Sequence, residues 1–138
     1  MALILDANVL YAALDRRQPR HSDCRRLIEN STEPILIPSP VLVEVDYFVT
    51  TRMNVDVLIG LIRDIELGNF DVVDVEQLDY FRIEELVAQY ADSDIGFVDA
   101  AVLTIVERMK EPKLATLDHR HFAMMRPRHV DSLTLLPE

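Results

Sequence analysis

Ala2-Leu3-Ile4-Leu5-Asp6-Ala7-Asn8-Val9-Leu10 is the stretch whose reading decides the fold. Its four leading apolar residues are too few for a buried helix and suit a buried strand. The run stops on an acid, and Asn8–Leu14 then takes up helical spacing. A buried strand feeding straight into a helix is the opening of a βαβ unit. The pattern returns downstream. A loop, Asp15-Arg16-Arg17-Gln18-Pro19-Arg20, precedes a helical stripe of Cys24, Leu27 and Ile28, and Ile35-Leu36-Ile37 reads as a second strand. In Pro38-Ser39-Pro40, Ser39 can cap the next helix and Pro40 suits its first position. That helix carries Glu44 and is expected to run to about Thr50. Val57, Leu58, Leu61, Ile62 and Ile65 mark an amphipathic helix that Gly68-Asn69 can end. Phe70–Val75 reads as a third strand and Leu78–Tyr90 as a helix. Asp92-Ser93-Asp94 is a polar break, with Asp94 expected to cap the helix that carries Asp99. Beyond Pro112, Leu114–Leu117 and Ser132–Leu136 read as strands four and five. Strands alternating with helices predict an α/β fold with a mostly parallel sheet, and 138 residues predict one domain over residues 1–138.

Four acids stand where acids are costly. Asp99 lies within Gly96-Phe97-Val98-Asp99-Ala100-Ala101-Val102-Leu103, and Glu44 within Val41-Leu42-Val43-Glu44-Val45. Both runs are apolar on nearly every helical face, so both carboxylates are expected to be buried, at a cost of several kcal/mol if unpaired. Asp6 and Asp118 close the apolar runs Leu3–Leu5 and Leu114–Leu117. That places both at the carboxyl ends of strands, where parallel sheets bind ligands. Taken singly, Asp6 could cap its helix, Glu44 could pair with Arg52, and Asp118 reads as a turn aspartate. Asp99 resists a structural explanation. Taken together, the four ask for a shared hard cation, Mg²⁺ with Mn²⁺ as its substitute. Mg²⁺ keeps several waters, so Asp6 and Asp99 are expected to bind directly, with Glu44 and Asp118 acting through water or on a second ion. Such a site suits phosphodiester hydrolysis.

The net charge of −10 excludes nucleic-acid binding by bulk attraction, and the chain stays acidic with the four site residues set aside. RNA contact then needs a local basic patch. Arg16, Arg17 and Arg20, with Arg25 and Arg26, form one cluster, and Arg120, Arg126 and Arg128 supply another. The single cysteine, Cys24, excludes an internal disulfide and a multi-cysteine zinc site, and favours a reducing, cytoplasmic setting. No charged leader opens the chain, and no apolar run is long enough to span a bilayer. His119 and His121 flank Arg120 and would share a face on a strand, but further zinc ligands at known spacing are lacking. His121 as a general base is not required where a metal activates water. Met124 and Met125 read as core filler, and the Val57–Ile65 stripe as core first and subunit interface second.

The residues also carry a family resemblance. Leu3-Ile4-Leu5-Asp6-Ala7-Asn8-Val9-Leu10 resembles the opening of PIN-domain nucleases, an apolar strand, Asp, one residue, then Ser, Thr or Asn. Pro40-Val41-Leu42-Val43-Glu44-Val45, Phe97-Val98-Asp99-Ala100-Ala101 and Ala115-Thr116-Leu117-Asp118-His119-Arg120-His121-Phe122 look like the second, third and fourth motifs, in order, over nearly the whole chain. More narrowly, the chain resembles VapC-type toxins of bacterial toxin–antitoxin pairs. Tyr47-Phe48-Val49-Thr50-Thr51-Arg52 and Arg120-His121-Phe122 are similar to a mycobacterial branch.

The resemblance implies a three-layer α/β/α sandwich and an Mg²⁺- or Mn²⁺-dependent endoribonuclease. It also implies a homodimer and a cognate VapB-type antitoxin. Asp6, Glu44, Asp99 and Asp118 would be the acidic quartet, with Asn8 as a polar support that binds a metal water or orients Asp6. Asp94 departs from the pattern by adding an acid near the third motif. The competing reading is a catalytically silent PIN-fold protein whose acidic pocket holds a partner's arginines. Transfer RNA and a ribosomal RNA loop both stay open as targets.

Overall fold

In a computed structural model that describes all 138 residues, five short strands alternate with seven α-helices. The strands are β1 (Leu3–Ile4), β2 (Ile35–Pro38), β3 (Asp71–Val73), β4 (Lys113–Ala115) and β5 (Thr134–Leu136). The helices are α1 (Ala7–Leu14), α2 (His21–Glu29), α3 (Ser39–Arg52), α4 (Val55–Glu66), α5 (Asp79–Gln89), α6 (Phe97–Arg108) and α7 (His119–Met124). A 3₁₀ turn at Ala91–Ser93 precedes α6.

Every strand pair is parallel. β1 pairs with β2 and β2 with β3, while β4 pairs with β5. A parallel bridge between Leu5 and Ala115 joins the two groups, so the strands run in the order 3-2-1-4-5. Ile4, Leu5, Ile37, Leu114 and Ala115 are fully buried, including consecutive residues whose side chains point to opposite faces. Helices therefore cover both faces, as parallel sheets require, giving the expected α/β/α layering. The strand order reverses between β1 and β4. A parallel sheet opens a crevice at such a point, beyond the carboxyl ends of the strands.

Local details depart from expectation in three places. Helix α3 begins at Ser39 itself, after Pro38, with no side-chain cap, and Pro40 falls in its first turn. Helix α6 is entered through Gly96 without a side-chain cap, so Asp94 does not cap it. Asp94 instead closes the 3₁₀ turn in a left-handed conformation (φ 59°), which a short polar side chain tolerates. His119 and His121 lie in α7 rather than on a strand, so they do not share a face. Helix α4 docks as its stripe predicts, by buried Leu61 with Val57, Leu58 and Ile65 packed partly buried against the core, and of the stripe only Ile62 is exposed. Met125 is buried in the core, and Gly68 ends α4 at φ 81°.

Candidate metal centre and active site

Asp6 follows β1 and caps α1. Its Oδ1 accepts the Ala7 N–H at 2.8 Å and its Oδ2 accepts the Thr116 hydroxyl at 2.8 Å. Its side chain is 4% exposed and meets no cationic side chain. Burial pushes its pKa up to about 7; the two hydrogen bonds oppose that rise, and repulsion from Asp99 and Glu44 adds to it. Asp99 stands in the first turn of α6, half-buried, and is pushed up to about 6 by burial first, then by Asp118 and Glu44, against an opposing pull from His121. Glu44, half-buried on α3, is raised by burial.

Asp118 caps α7. Its Oδ1 accepts the His121 N–H at 3.1 Å, and its Oδ2 lies 2.7 Å from His121 Nδ1. That contact raises the imidazole pKa. One ligand atom each from Asp99, Asp118 and His121 lies within 4.8 Å of the other two. Acids from β1, α3, α6 and the end of β4 thus feel one another's charge at the β1/β4 switch point, and no arginine or lysine pairs with any of them. Unpaired, partly desolvated carboxylates with an imidazole at their edge are a donor set that fits a divalent cation.

Thr116 is the residue that sequence reading missed. It is fully buried at the end of β4. Its hydroxyl donates to Asp6 Oδ2 at 2.8 Å and accepts the Asp118 N–H at 3.0 Å, so it ties the acid after β1 to the acid after β4. Only its place two residues before Asp118 could have signalled this. Asn8 braces the same junction. Its Oδ1 accepts the Leu117 N–H at 2.9 Å and lies 3.4 Å from Thr116 Oγ1.

Glu44 and Asp99 are half-buried rather than buried, and the reason is physical. The faces read as core on α3 and α6 include an open apolar groove of about 950 Å³, lined by Val43, Glu44, Tyr47, Tyr80 and Phe97 among others. Val43 is 72% exposed and Tyr47 63% exposed. On α3 and at the Phe97 end of α6 part of the apolar run is uncovered surface, whereas Ala100–Val106 of α6 are core. Arg52 does not pair with Glu44; its guanidinium lies 4.5 Å from the Phe48 ring centre and 5.5 Å from that of Tyr11.

The arginine cluster is partly spent on the fold. Arg17 clamps Asp15, Arg20 pairs with Asp23 and donates to the Glu138 carbonyl, Arg25 pairs with Glu29, and Arg128 pairs with Glu85. Arg16 and Arg120 are exposed and make no ion pair.

Residues 3–126 match the model of the PIN domain family. Ribonuclease VapC26 of Mycobacterium tuberculosis is 29% identical over 135 residues, covering 98% of this chain and all of that protein. Among solved structures, VapC20 of M. tuberculosis, described as a sarcin–ricin-loop-cleaving toxin, superposes with a TM-score of 0.73 at 17% identity, over 81% of this chain and 86% of that one. A VapBC2 complex from Rickettsia felis bound to promoter DNA superposes at 0.70 with 22% identity, over 98% and 97%.

Proposed function

The chain belongs to the PIN-domain family, and on that premise we propose that it is the endoribonuclease toxin of a type II toxin–antitoxin pair, hydrolysing RNA phosphodiester bonds and so inhibiting translation and growth. The observation that carries this reading is the gathering of Asp6, Glu44, Asp99 and Asp118 at one switch point with no arginine or lysine to neutralise them. Helix capping accounts for Asp6 and Asp118, but no hydrogen bond or ion pair within the fold accounts for Glu44 and Asp99 beside them. Mg²⁺, or Mn²⁺ in its place, would be held by Asp6 and Asp99, with Glu44 and Asp118 in support, and supplies Lewis-acid stabilisation of charge developing on the scissile phosphate.

The protein's own groups do the positioning. Thr116 and the Ala7 N–H hold the two oxygens of Asp6 in fixed directions. Asn8 and Thr116 lock the chain after β4 so that Asp118 keeps its place opposite α6. Fixed ligands lose little entropy when the reacting groups meet them. Arg16 and Arg120 provide exposed positive charge for RNA phosphates, with Arg17 and Arg20 restrained by their ion pairs. Water attacks in line and leaves 5′-phosphate and 3′-hydroxyl ends.

A cytoplasmic VapB-type antitoxin is the partner, and the chain itself forms a homodimer. The groove beside Glu44, with exposed Val43, Tyr47, Tyr80 and Phe97, is apolar enough to be covered by protein. Its acidic edge suits a basic residue on the covering segment. No helix is long and apolar enough to cross a membrane.

Purified protein incubated with total RNA tests the reading. Cleavage is expected in Mg²⁺ or Mn²⁺, and loss of cleavage in excess EDTA and in folded Asp6→Asn and Asp99→Asn variants. Full activity in EDTA, or in either variant, contradicts it.

A further inference from the structure

We propose that His121 is a direct metal ligand alongside Asp99 and Asp118, with Asp118 in direct contact with the ion rather than in a supporting place, which makes the site a mixed oxygen and nitrogen site for a first-row transition ion such as Mn²⁺ ahead of Mg²⁺. The inference deepens the proposed function and rests on it, because it concerns the ion at the same site. The acidic quartet implied by family resemblance contains no histidine.

The geometry carries it. A ring nitrogen of His121 and one carboxylate oxygen each of Asp99 and Asp118 lie within 4.8 Å of one another. An ion with bonds of about 2.1 Å spans donors up to about 4.2 Å apart, so at most a shift of a few tenths of an ångström in the side chains would close the set around it. The ring is held before any ion arrives. The α7 N-terminus fixes the His121 backbone through its N–H bond to Asp118 Oδ1, and Asp118 Oδ2 fixes the ring at Nδ1. Nδ1 and Asp118 Oδ2 lie 2.7 Å apart, close to the separation of neighbouring ligands around one ion, so an ion could take both atoms in place of the hydrogen of that bond. Apart from Asp118, the ring has no hydrogen-bond partner in the protein, so no other contact holds Nδ1 away from an ion. Mg²⁺ favours an all-oxygen shell, whereas imidazole improves a site for transition ions.

His119 provides the internal control. It lies one turn position away on α7, with its Nε2 buried and without a partner, and it is not in the cluster. Pulsed EPR on the full chain loaded with Mn²⁺ reads nitrogen ligation directly. Expected is a ¹⁴N coupling in wild type and His119→Gln that vanishes in His121→Gln. With it, the Mn²⁺ dissociation constant should rise about tenfold or more in His121→Gln, as loss of metal-site support commonly produces. Mg²⁺ affinity, measured by competition, should change by less than about twofold, since the imidazole contributes little to an oxygen-seeking ion.

Mn²⁺ bound to wild type with no ¹⁴N coupling overturns the inference while leaving the hydrolytic reading intact, and needs no variant to fold. A coupling that survives His121→Gln overturns it equally. Wild type that binds neither ion defeats both the inference and the proposed function.

Discussion

Helix α1 has a buried aspartate at each end, and the two behave oppositely. Asp6 is 4% exposed at its start and Asp15 is 2% exposed at its end. The helix dipole favours a negative charge at the start and disfavours one at the end. The pKa shifts run the other way. Asp15 accepts both Arg17 guanidinium N–H groups at 3.0 Å, the Arg17 backbone N–H at 3.0 Å and the Tyr11 hydroxyl, and is held well below the usual carboxylate range. Asp6 is pushed up to about 7 by burial, which its two neutral donors do not offset and its two acidic neighbours add to. Hydrogen bonds to a charged group contribute about 1.5–3 kcal/mol each, against about 0.3–1 kcal/mol for the dipole, so local partners decide. The fold completes the shell of one acid and leaves its twin unfinished. That contrast separates an acid that serves structure from an acid kept for a ligand.

The sharpest way to break the comparison is to neutralise each acid in turn. Asp6→Asn should lower RNA cleavage by at least about a thousandfold, the factor that several kcal/mol of lost charge stabilisation implies. The same change should stabilise the metal-free protein at pH 8, because it removes an uncompensated buried charge. A variant that is both less active and less stable there would mean that Asp6 is structural.

Next in size is the pH dependence of metal-free stability. Asp6 and Asp99 bind protons more tightly folded than unfolded, so their contribution is fully present below about pH 4 and is lost as pH rises through about 6 to 7. For Asp6 alone the loss is on the order of 4 kcal/mol. Asp15 has the opposite sign. Its contribution is present above about pH 4 and is lost as pH falls below that. Urea midpoints from about pH 2 to 8, with EDTA and with excess Mg²⁺, check both signs. Mg²⁺ should flatten the decline toward high pH.

Asp15→Asn should cost about 1–3 kcal/mol, since it strands the Tyr11 hydroxyl and releases Arg17, while cleavage per folded molecule stays unchanged. Urea unfolding and activity corrected for folded fraction measure the two halves. The smallest effect belongs to the surface. Arg16→Ala or Arg120→Ala should raise the KM for RNA a few-fold and reduce the salt slope by about one, with kcat unaltered.

Much of this was legible in the chain. The apolar run Leu3–Leu5 ending on Asp6 located β1 and its acid, because strand length and a sudden charge are both local signals. Asp118 followed in the same way from β4. Glu44 and Asp99 were legible as anomalies, but their depth was not. An apolar residue such as Val43 looks the same in a sequence whether it faces a core or an open groove. Asp15 was hidden among arginines, where the sequence reads as a solvated loop although the aspartate itself is sealed beneath Arg17. Thr116 was invisible because its role exists only once β1 and β4 are neighbours. The basic cluster was overcounted for a similar reason, since Arg17, Arg20 and Arg25 find carboxylates that only local folding brings within reach.

Thermal unfolding of EDTA-treated protein at pH 8, titrated with Mg²⁺, tests most directly whether the unpaired acids await a cation. Wild type should gain stability in proportion to the logarithm of Mg²⁺ concentration once the site begins to fill, Asp15→Asn should show the same slope from a lower starting point, and Asp6→Asn should lose most of it. A wild-type melting temperature that Mg²⁺ leaves unchanged, or a slope that survives Asp6→Asn intact, would contradict the account.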